Sequence, residues 1–162
     1  MSQPIAKSSD PLALRMRPQS LEEFTGQQHI LGPGKLLSRA ICCNRLPSLI
    51  LWGPAGCGKT TLGLIISARF EAEFVCVNAA FTNVAEIRKI IAHAKEVFEN
   101  NGRRTVLFLD EIHRFSKTQQ ESLVPDTESA RIVLIGATIY KPTFYLISSI
   151  ISRSIIAEFK SL

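Results

Sequence analysis

Short apolar runs alternate along the chain with longer segments of helical periodicity. Each run is too short to be a typical buried helix, so the runs predict strands. Strands that alternate with helices are typical of a parallel sheet covered by helices on both faces, the doubly wound α/β class. The five predicted strands are Ser48 to Trp52, Glu73 to Asn78, Thr105 to Leu109, Arg131 to Ile135, and about Ser154 to Phe159.

The clearest predicted helix follows Asn83, which is a suitable N-cap, and ends at the turn formed by residues 100–102. Two more helices are predicted, from Lys59 to about Phe70 and from Lys35 to about Asn44. The apolar face of the clearest helix has the i, i+3, i+4, i+7 spacing and comprises Val84, Ile87, Ile90, Ile91, Ala94 and Phe98.

Composition fits one globular domain, since the chain has 162 residues of which 46% are hydrophobic and 20% charged. The 19 Lys and Arg residues outnumber the 14 Asp and Glu residues, giving a net charge of +5. This excess is compatible with a polyanionic partner and equally with a solvated basic surface.

Membrane insertion and export are not indicated by the sequence. Arg153 interrupts the most apolar late segment, from Phe144 to Ile156, so no run approaches the roughly 20 residues that a spanning helix requires. The N-terminus lacks a continuous apolar core of the signal-peptide type, which predicts a cytoplasmic protein. The four cysteines lack metal-ligand spacing and are interpreted as reduced thiols.

The most specific motif is an uninterrupted G-x-x-x-x-G-K-[ST] between the first predicted strand and the helix that begins at Lys59. This context makes it a candidate P-loop, whose backbone N–H groups converge on phosphate. Lys59 is expected to reach the β- and γ-phosphates, and the Thr60 hydroxyl to ligate Mg²⁺. The predicted nucleotide-binding residues are Gly53, Pro54, Ala55, Gly56, Cys57, Gly58, Lys59, Thr60 and Thr61.

A second motif, of the Walker B type, follows about fifty residues later, where the third strand ends in Asp110 and Glu111. The carboxyl ends of parallel strands share one edge of the sheet, so both carboxylates are expected near the P-loop. Asp110 is predicted to hold Mg²⁺ through water, and Glu111 to orient or deprotonate the attacking water.

Three further polar residues are candidates on position alone. Thr138, after the fourth strand, is predicted to contact the γ-phosphate or the water as a sensor, and a strand-end threonine that turns into a loop is the alternative. Asn78 either gates Glu111 by hydrogen bonding or serves turn chemistry at the end of its strand. Arg153 is a lone cation in an apolar segment, and composition favours a snorkelling surface arginine.

Together these motifs resemble an AAA+ ATPase of the clamp-loader-like branch. Over residues 10–162 the details are similar to the replication-associated recombination protein A family, also called MgsA and related to the eukaryotic Werner-helicase-interacting ATPase. The residues that carry this narrower resemblance are Pro11 to Pro18, Gly26 to His29, Gly32 to Lys35, Leu51 to Pro54, Asp110 to Phe115, Lys117, Gln119 and Gln120.

The resemblance implies a DNA-dependent ATPase that uses ATP and Mg²⁺, forms tetramers, and acts at stalled forks, gaps and duplex ends. Single-stranded or forked DNA is the implied partner, with replisome or single-strand-binding proteins as further contacts and a nucleoid association in bacteria. It also implies that Arg17, Pro18 and residues 26–29 flank the adenine and that Arg153 is an arginine finger acting in trans. The resemblance further implies that residues 1–34 are an N-terminal arm and adenine-flanking segment and that residues 35–162 are the AAA+ core.

Departures from the family pattern fall in the P-loop and after the sensor. Ala55 and Cys57 replace the usual Pro and Thr, while residues 139–141, Ile-Tyr-Lys, replace Thr-Glu-Asn before Pro142. The family's helical lid and C-terminal oligomerisation region are missing from the sequence, so we expect weak ATP binding and slow turnover, since an arginine finger acts in trans only when subunits assemble.

Other interpretations remain open at this stage. The sequence segments Leu21 to Phe24 and Leu107 to Arg114 are also similar to those of the Holliday-junction branch-migration ATPase. Other clamp-loader subunits are a further alternative. A nucleotide-binding remnant without turnover belongs to a different functional class. Basic pairs such as Arg88-Lys89 and Arg103-Arg104 favour solvated surfaces over an assignable DNA site, and His93 and His113 are interpreted as structural.

Overall fold

Five parallel strands form a single sheet in the computed structural model, which describes residues 17–127 and 131–161. The strand order is β2-β3-β4-β1-β5, and each neighbouring pair is parallel. The predicted five-stranded parallel sheet is therefore confirmed. The strands are β1 Ser48–Trp52, β2 Glu73–Asn78, β3 Thr105–Asp110, β4 Ile132–Thr138 and β5 Ser154–Glu158.

The bounds of β1 and β2 match the prediction, whereas β4 was predicted too short. It continues through Gly136 to Thr138, because it lies between β1 and β3 and pairs Thr138 with Trp52 at its end. Gly136 allows the side chains of Ile112 and Ile50 to pack closely against the strand. A Cβ at this position would lie 2.7 Å from Ile112 Cδ1 and 2.9 Å from Ile50 Cδ1.

Six α-helices connect or flank these strands in the described part of the chain, together with two 3₁₀ turns at Ile112–Arg114 and Pro142–Phe144. The helix after Asn83 has the expected start, with a capping box in which Asn83 and Glu86 exchange hydrogen bonds. The helices are α1 Gln28–Leu31, α2 Leu36–Cys42, α3 Lys59–Arg69, α4 Val84–Asn101, α5 Lys117–Thr127 and α6 Ser148–Ser152.

Helices cover both faces of the sheet, as the alternation of apolar runs predicted. One core packs α2 and α3 on side chains such as Leu49 and Phe108, and the other packs α4, α5 and α6 on their neighbours such as Ile50 and Leu107. Successive side chains of a strand point to opposite faces, so the nearly continuous apolar runs supply both cores. None of the described helices is long and apolar enough to cross a membrane.

Residues 24–29 contact the residues at the C-terminal end of β5. The Gln27 side chain is buried, donates to Lys160 O at 2.7 Å and accepts from Lys160 N at 3.0 Å. His29 Nε2 lies 2.7 Å from Glu158 O, and the rings of Phe24 and Phe159 meet edge to face at 6.4 Å. These contacts hold residues 24–29 beside the carboxyl edge of the sheet.

Candidate functional site

The P-loop joins β1 to α3 at the carboxyl edge of the sheet. Gly53 has φ 144°, and a Cβ there would lie 2.1 Å from Phe159 O. Gly58 is the left-handed N-cap of α3, and its missing Cβ would lie 2.8 Å from Phe24 Cζ. Glycine is therefore required at both positions, because other residues avoid such backbone angles and add an atom where the neighbours leave no room.

Lys59, the first residue of α3, is 9% exposed and held by the loop itself. Its Nζ donates to Gly53 O at 2.8 Å and to Pro54 O at 2.7 Å. The thiol of Cys57, which stands where the family usually has Thr, donates to Pro54 O at 2.8 Å. Hydrogen bonds between residues of the loop itself therefore hold its conformation, and the Lys59 ammonium group lies at the centre of these bonds.

Asp110 and Glu111 occupy the end of β3. Asp110 Oδ1 accepts from the backbone N–H of Glu111 at 3.0 Å, and Glu111 adopts a left-handed φ of 52°. Non-glycine residues in this region carry a conformational cost and are concentrated at functional sites. Glu111 Oε2 lies 3.8 Å from Nε of Arg114, a residue of the following 3₁₀ turn.

Thr138, the last residue of β4, is 3% exposed and makes two polar contacts. Its Oγ1 accepts from Tyr140 N at 3.1 Å and lies 3.0 Å from His113 Nδ1. The His113 ring meets Tyr140 edge to face at 4.8 Å. Burial lowers the pKa of His113, and Arg114 acts in the same direction, while the carboxylates of Glu111 and Asp110 oppose the shift.

An open cleft of about 380 Å³ brings these groups together. Of the residues predicted from the sequence, Pro18, Gly53, Pro54 and Cys57 do not line it, and neither does Arg153, which lies at the exposed end of α6 with Nη1 bonded to Ser149 O at 3.1 Å. The lining residues are Arg17, Ala55, Gly56, Gly58, Lys59, Thr60, Thr61, Asp110, Glu111, Thr138 and Ile139.

The chemistry of this lining suits a nucleoside triphosphate with its metal. Mg²⁺ prefers oxygen ligands from one or two protein groups with phosphate and water completing the shell. A hydroxyl at Thr60 and a carboxylate at Asp110 face one cleft, and the N-terminus of α3 with Lys59 supplies positive charge.

Asn78 does not bond to Glu111 in the described structure. Its Oδ1 accepts from Ala80 N at 2.8 Å, while its carbonyl accepts from the hydroxyl of Thr82 at 2.9 Å. Turn chemistry, the second of the two interpretations given from the sequence, accounts for these contacts.

Sequence reasoning missed two residues that organise the sensor side of the cleft. His113 was interpreted as structural, yet it contacts the hydroxyl of Thr138. Gln120, which is 1% exposed, donates from Nε2 to Phe115 O and Tyr145 O at 3.0 Å, and its Oε1 accepts from Ile147 N at 2.9 Å. Both belong to the motif that carried the family resemblance, but spacing alone does not reveal partners 25 or more residues away.

Residues 103 and 104, two of the basic candidates for DNA contact, support the fold. Arg103 donates to the carbonyls of Glu71 and Ala72, and Arg104 to that of Asn44. A bracing role between loops accounts for these guanidinium groups.

Comparison with known proteins matches residues 16–144 to the family described as the Holliday junction DNA helicase RuvB P-loop domain. Replication-associated recombination protein A of Escherichia coli (strain K12) is 47% identical over 152 residues, covering 94% of this chain and 34% of the relative. ATPase WRNIP1 of Dictyostelium discoideum is 40% identical over 147 residues, covering 91% of this chain and 17% of the relative. The chain thus spans about a third or less of these curated relatives.

Solved structures agree with this assignment. The RuvB Holliday junction branch migration motor of Thermotoga maritima has a TM-score of 0.64 and 28% identity, covering 90% of this chain and 48% of that one. A point variant of the same protein gives a TM-score of 0.69 and 29% identity over 89% of this chain and 48% of that one. The chain therefore belongs to the RuvB P-loop domain family, and its likeness to replication-associated recombination protein A confirms the AAA+ resemblance drawn from its motifs.

Proposed function

We propose that the chain is the ATP-binding and ATP-hydrolysing core of an AAA+ ATPase that acts with DNA in replication-fork maintenance, recombination and repair. The observation that carries this proposal is the single cleft shared by the P-loop, Asp110, Glu111 and Thr138. Two sequence motifs fifty residues apart and a strand end meet there, which is the arrangement that phosphoryl transfer to water requires.

Phosphate binding is assigned to residues 53–61. Backbone N–H groups at the N-terminus of α3 face the cleft, where the helix dipole favours an anion. Lys59 would exchange its bonds to the carbonyls of Gly53 and Pro54 for phosphate oxygens, since all these groups lie within the same loop. Cys57 keeps the loop closed through its thiol, so its replacement of Thr is compatible with binding.

Thr60 and Asp110 would hold Mg²⁺ when the nucleotide is bound. The ion then supplies charge neutralisation for the phosphate oxygens. Asp110 is suited to this role because the Glu111 N–H orients one carboxylate oxygen and leaves the other available.

Glu111 is assigned as the residue that orients and deprotonates the attacking water. Glu111 lines the cleft, and its left-handed backbone lies at the point where β3 ends and the 3₁₀ turn begins. Arg114 lies at 3.8 Å and competes for the carboxylate, so release of that contact accompanies a productive arrangement.

Arg153 is proposed to complete the site of a second copy of the chain. It is exposed, lies outside the cleft of its own chain, and follows α6 directly. An arginine finger supplied in trans contributes roughly 10³–10⁵ in rate, so assembly controls turnover.

The adenine is proposed to lie beside Arg17, Pro18 and the turn at residues 26–29. Arg17 lines the cleft, and Gln27 and His29 anchor that turn to the end of β5. DNA, in single-stranded, forked or gapped form, is the proposed macromolecular partner, with replisome or single-strand-binding proteins as further contacts and a cytoplasmic, nucleoid-associated location in a bacterium.

A branch-migration ATPase is the second candidate function, favoured by the family match and by the two solved structures of Thermotoga maritima RuvB. A nucleotide-binding remnant without turnover is the third. The composition of the cleft counts against advanced decay of the site, because Lys59, Asp110 and Glu111 line it together.

Titration with ATP, followed by phosphate release, tests the proposal on the wild type, Lys59→Ala and Glu111→Gln. Removing the lysine should weaken ATP binding by about 10-fold to 100-fold, the value of a charge-assisted hydrogen bond. Glu111→Gln should keep the affinity and slow hydrolysis by about 10²–10⁴-fold. Lys89→Ala, which removes an exposed lysine from α4, is the matched control.

Each outcome discriminates between the candidates. Equal ATP affinity for the wild type and Lys59→Ala would remove the P-loop assignment. Binding without hydrolysis by the wild type would favour the remnant. Forked DNA that stimulates hydrolysis supports the replication role, and stimulation by four-way junctions alone would favour the branch-migration alternative.

A further inference from the structure

The hydroxyl of Thr138 has an unusual bonding situation for a group assigned to sense phosphate. A hydroxyl offers one proton and two lone pairs. One lone pair accepts from Tyr140 N at 3.1 Å, and His113 Nδ1 lies 3.0 Å from the same oxygen. What Thr138 presents to the cleft therefore depends on which partner of the His113 contact carries the proton.

Two arrangements fit the distance. If Nδ1 accepts, the only hydroxyl proton of Thr138 is spent on the ring, and one lone pair remains for the cleft. If Nδ1–H donates, both lone pairs of Oγ1 are occupied, and the hydroxyl proton is the one bonding group left. The neutral ring has one protonated nitrogen, so its tautomer decides between these cases.

The second arrangement is the one that matches an anion in the cleft. Phosphate oxygens accept hydrogen bonds, and a Thr138 that presented only a lone pair would repel them. A polyanion beside His113 also favours the doubly protonated ring, which again donates from Nδ1. Both protonation states that suit an anion thus direct the Thr138 proton into the cleft.

The ring is placed for this role by packing from the segment that follows β4. Tyr140 contacts it edge to face at 4.8 Å, and Tyr145 lies at 6.1 Å. The two tyrosine rings are themselves 4.8 Å apart and tilted by 33°. Gln120 anchors that segment by its bonds to Tyr145 O and Ile147 N.

We propose that His113 is a positioning residue for Thr138: its Nδ1–H donates to Oγ1 and leaves the threonine proton for a phosphate oxygen or the attacking water. This inference rests on the proposed function, because it gives the direction of a bond within the same site. His113 touches neither the nucleotide nor the water in this scheme and acts only through Thr138.

A matched pair of variants separates the hydrogen bond from the bulk of the side chain. His113→Asn places a donor near the position of Nδ1, whereas His113→Leu has the same branching at Cγ as Asn and no donor. We expect His113→Leu to lower kcat about tenfold with ATP affinity unchanged, the loss of one net hydrogen bond. His113→Asn should retain most of the wild-type kcat.

A Thr138→Val background tests whether His113 acts through Thr138. There, His113→Leu should cause no additional loss, since the bond it removes is already absent. The same fold loss in both backgrounds, or a wild-type kcat for His113→Leu, would overturn the inference. So would an His113→Asn variant as slow as His113→Leu.

The tautomer provides a readout that does not depend on activity. Long-range ¹H–¹⁵N spectra of the full chain with Mg²⁺ and a non-hydrolysable ATP analogue bound should show His113 protonated at Nδ1, with the signal assigned by its loss in His113→Asn. The chain has three histidines, so the assignment is direct. A proton at Nε2 alone would overturn the inference, whereas a wild type that neither binds nor hydrolyses ATP would instead remove the proposed function.

Discussion

Two walls of the cleft are built by different kinds of contact. The P-loop wall comprises residues 53–61, and the sensor wall comprises Thr138 with its supports His113, Gln120 and residues 140–147. On the P-loop wall the bonds are local, because Lys59 reaches back only six residues to Gly53. On the sensor wall the bonds are long-range, since Thr138 contacts His113 across 25 residues and Gln120 contacts Ile147 across 27. A motif can encode the first wall almost alone, whereas the second exists only when several segments have folded together.

The largest change in stability that tests this comparison is expected at Gly53. This P-loop residue contacts Phe159, which directly follows β5. Gly53→Ala should lower the free energy of unfolding by about 3–5 kcal/mol, because overpacking and a backbone angle reserved for glycine each cost about 1–3 kcal/mol. The new Cβ would lie 2.1 Å from Phe159 O, a backbone atom that cannot rotate away. Urea denaturation measures the change.

Gly56→Ala is the matched control for that measurement. Gly56 also has a positive φ, of 74°, but no atom lies within 4 Å of its missing Cβ. It should cost about 1–2 kcal/mol, the left-handed penalty alone. Equal losses in the two variants would mean that the contact of Gly53 with Phe159 contributes nothing to stability.

The same distinction between local and long-range contacts explains what could be predicted from the sequence. The bounds of β1 and β2 and the N-cap at Asn83 depend on neighbouring residues and were predicted correctly. The end of β4 was not, because Gly136 normally weakens a strand and its reason for being glycine is the packing of Ile112 and Ile50. Periodicity contains no information about such side-chain contacts.

Candidate site residues divide in the same way. Lys59, Thr60 and the carboxylates at 110 and 111 were found from motif spacing and line one cleft. Their catalytic roles stay predictions until they are measured. His113 was interpreted as structural, since a lone histidine has no signal in the sequence that identifies a hydroxyl partner on a distant strand.

A second prediction, of intermediate size, concerns Gln120 on the sensor wall. Gln120→Leu should lower the free energy of unfolding by about 2–4 kcal/mol, because it leaves two carbonyls and one N–H unpaired in a buried position at about 1–3 kcal/mol for each such group, less what relaxation recovers. ATP affinity should be unchanged, since the P-loop wall forms its own bonds. Urea denaturation and ATP titration of the same samples check both expectations.

Gln119→Leu is the control for this prediction because it removes the adjacent glutamine. Gln119 accepts from Ser116 N at an exposed position, and losing such a cap costs about 1 kcal/mol. A Gln120→Leu loss no greater than the control would show that the sensor wall does not depend on its long-range bonds. Weaker ATP binding would show that the two walls are coupled.

The smallest expected effect is a dependence on pH that belongs to the sensor wall. The folded protein lowers the pKa of His113 below its ordinary value of 6.5, mainly by burial. Above pH 6.5 the ring is neutral in the folded and unfolded chains alike, so His113 leaves the stability unchanged there. As the pH falls below 6.5 the unfolded chain binds the proton first, and the free energy of unfolding decreases.

His113→Asn removes this titration, so the stability of the wild type should fall relative to that of the variant between pH 7.5 and pH 5.5. Glu111 and Asp110 oppose the shift and Arg114 reinforces it, and all three residues remain in the variant. Solvent at the partly exposed ring keeps the effect small. A difference that stays constant with pH would contradict the prediction, and one that changes in the opposite direction would mean that the carboxylates outweigh burial at this wall.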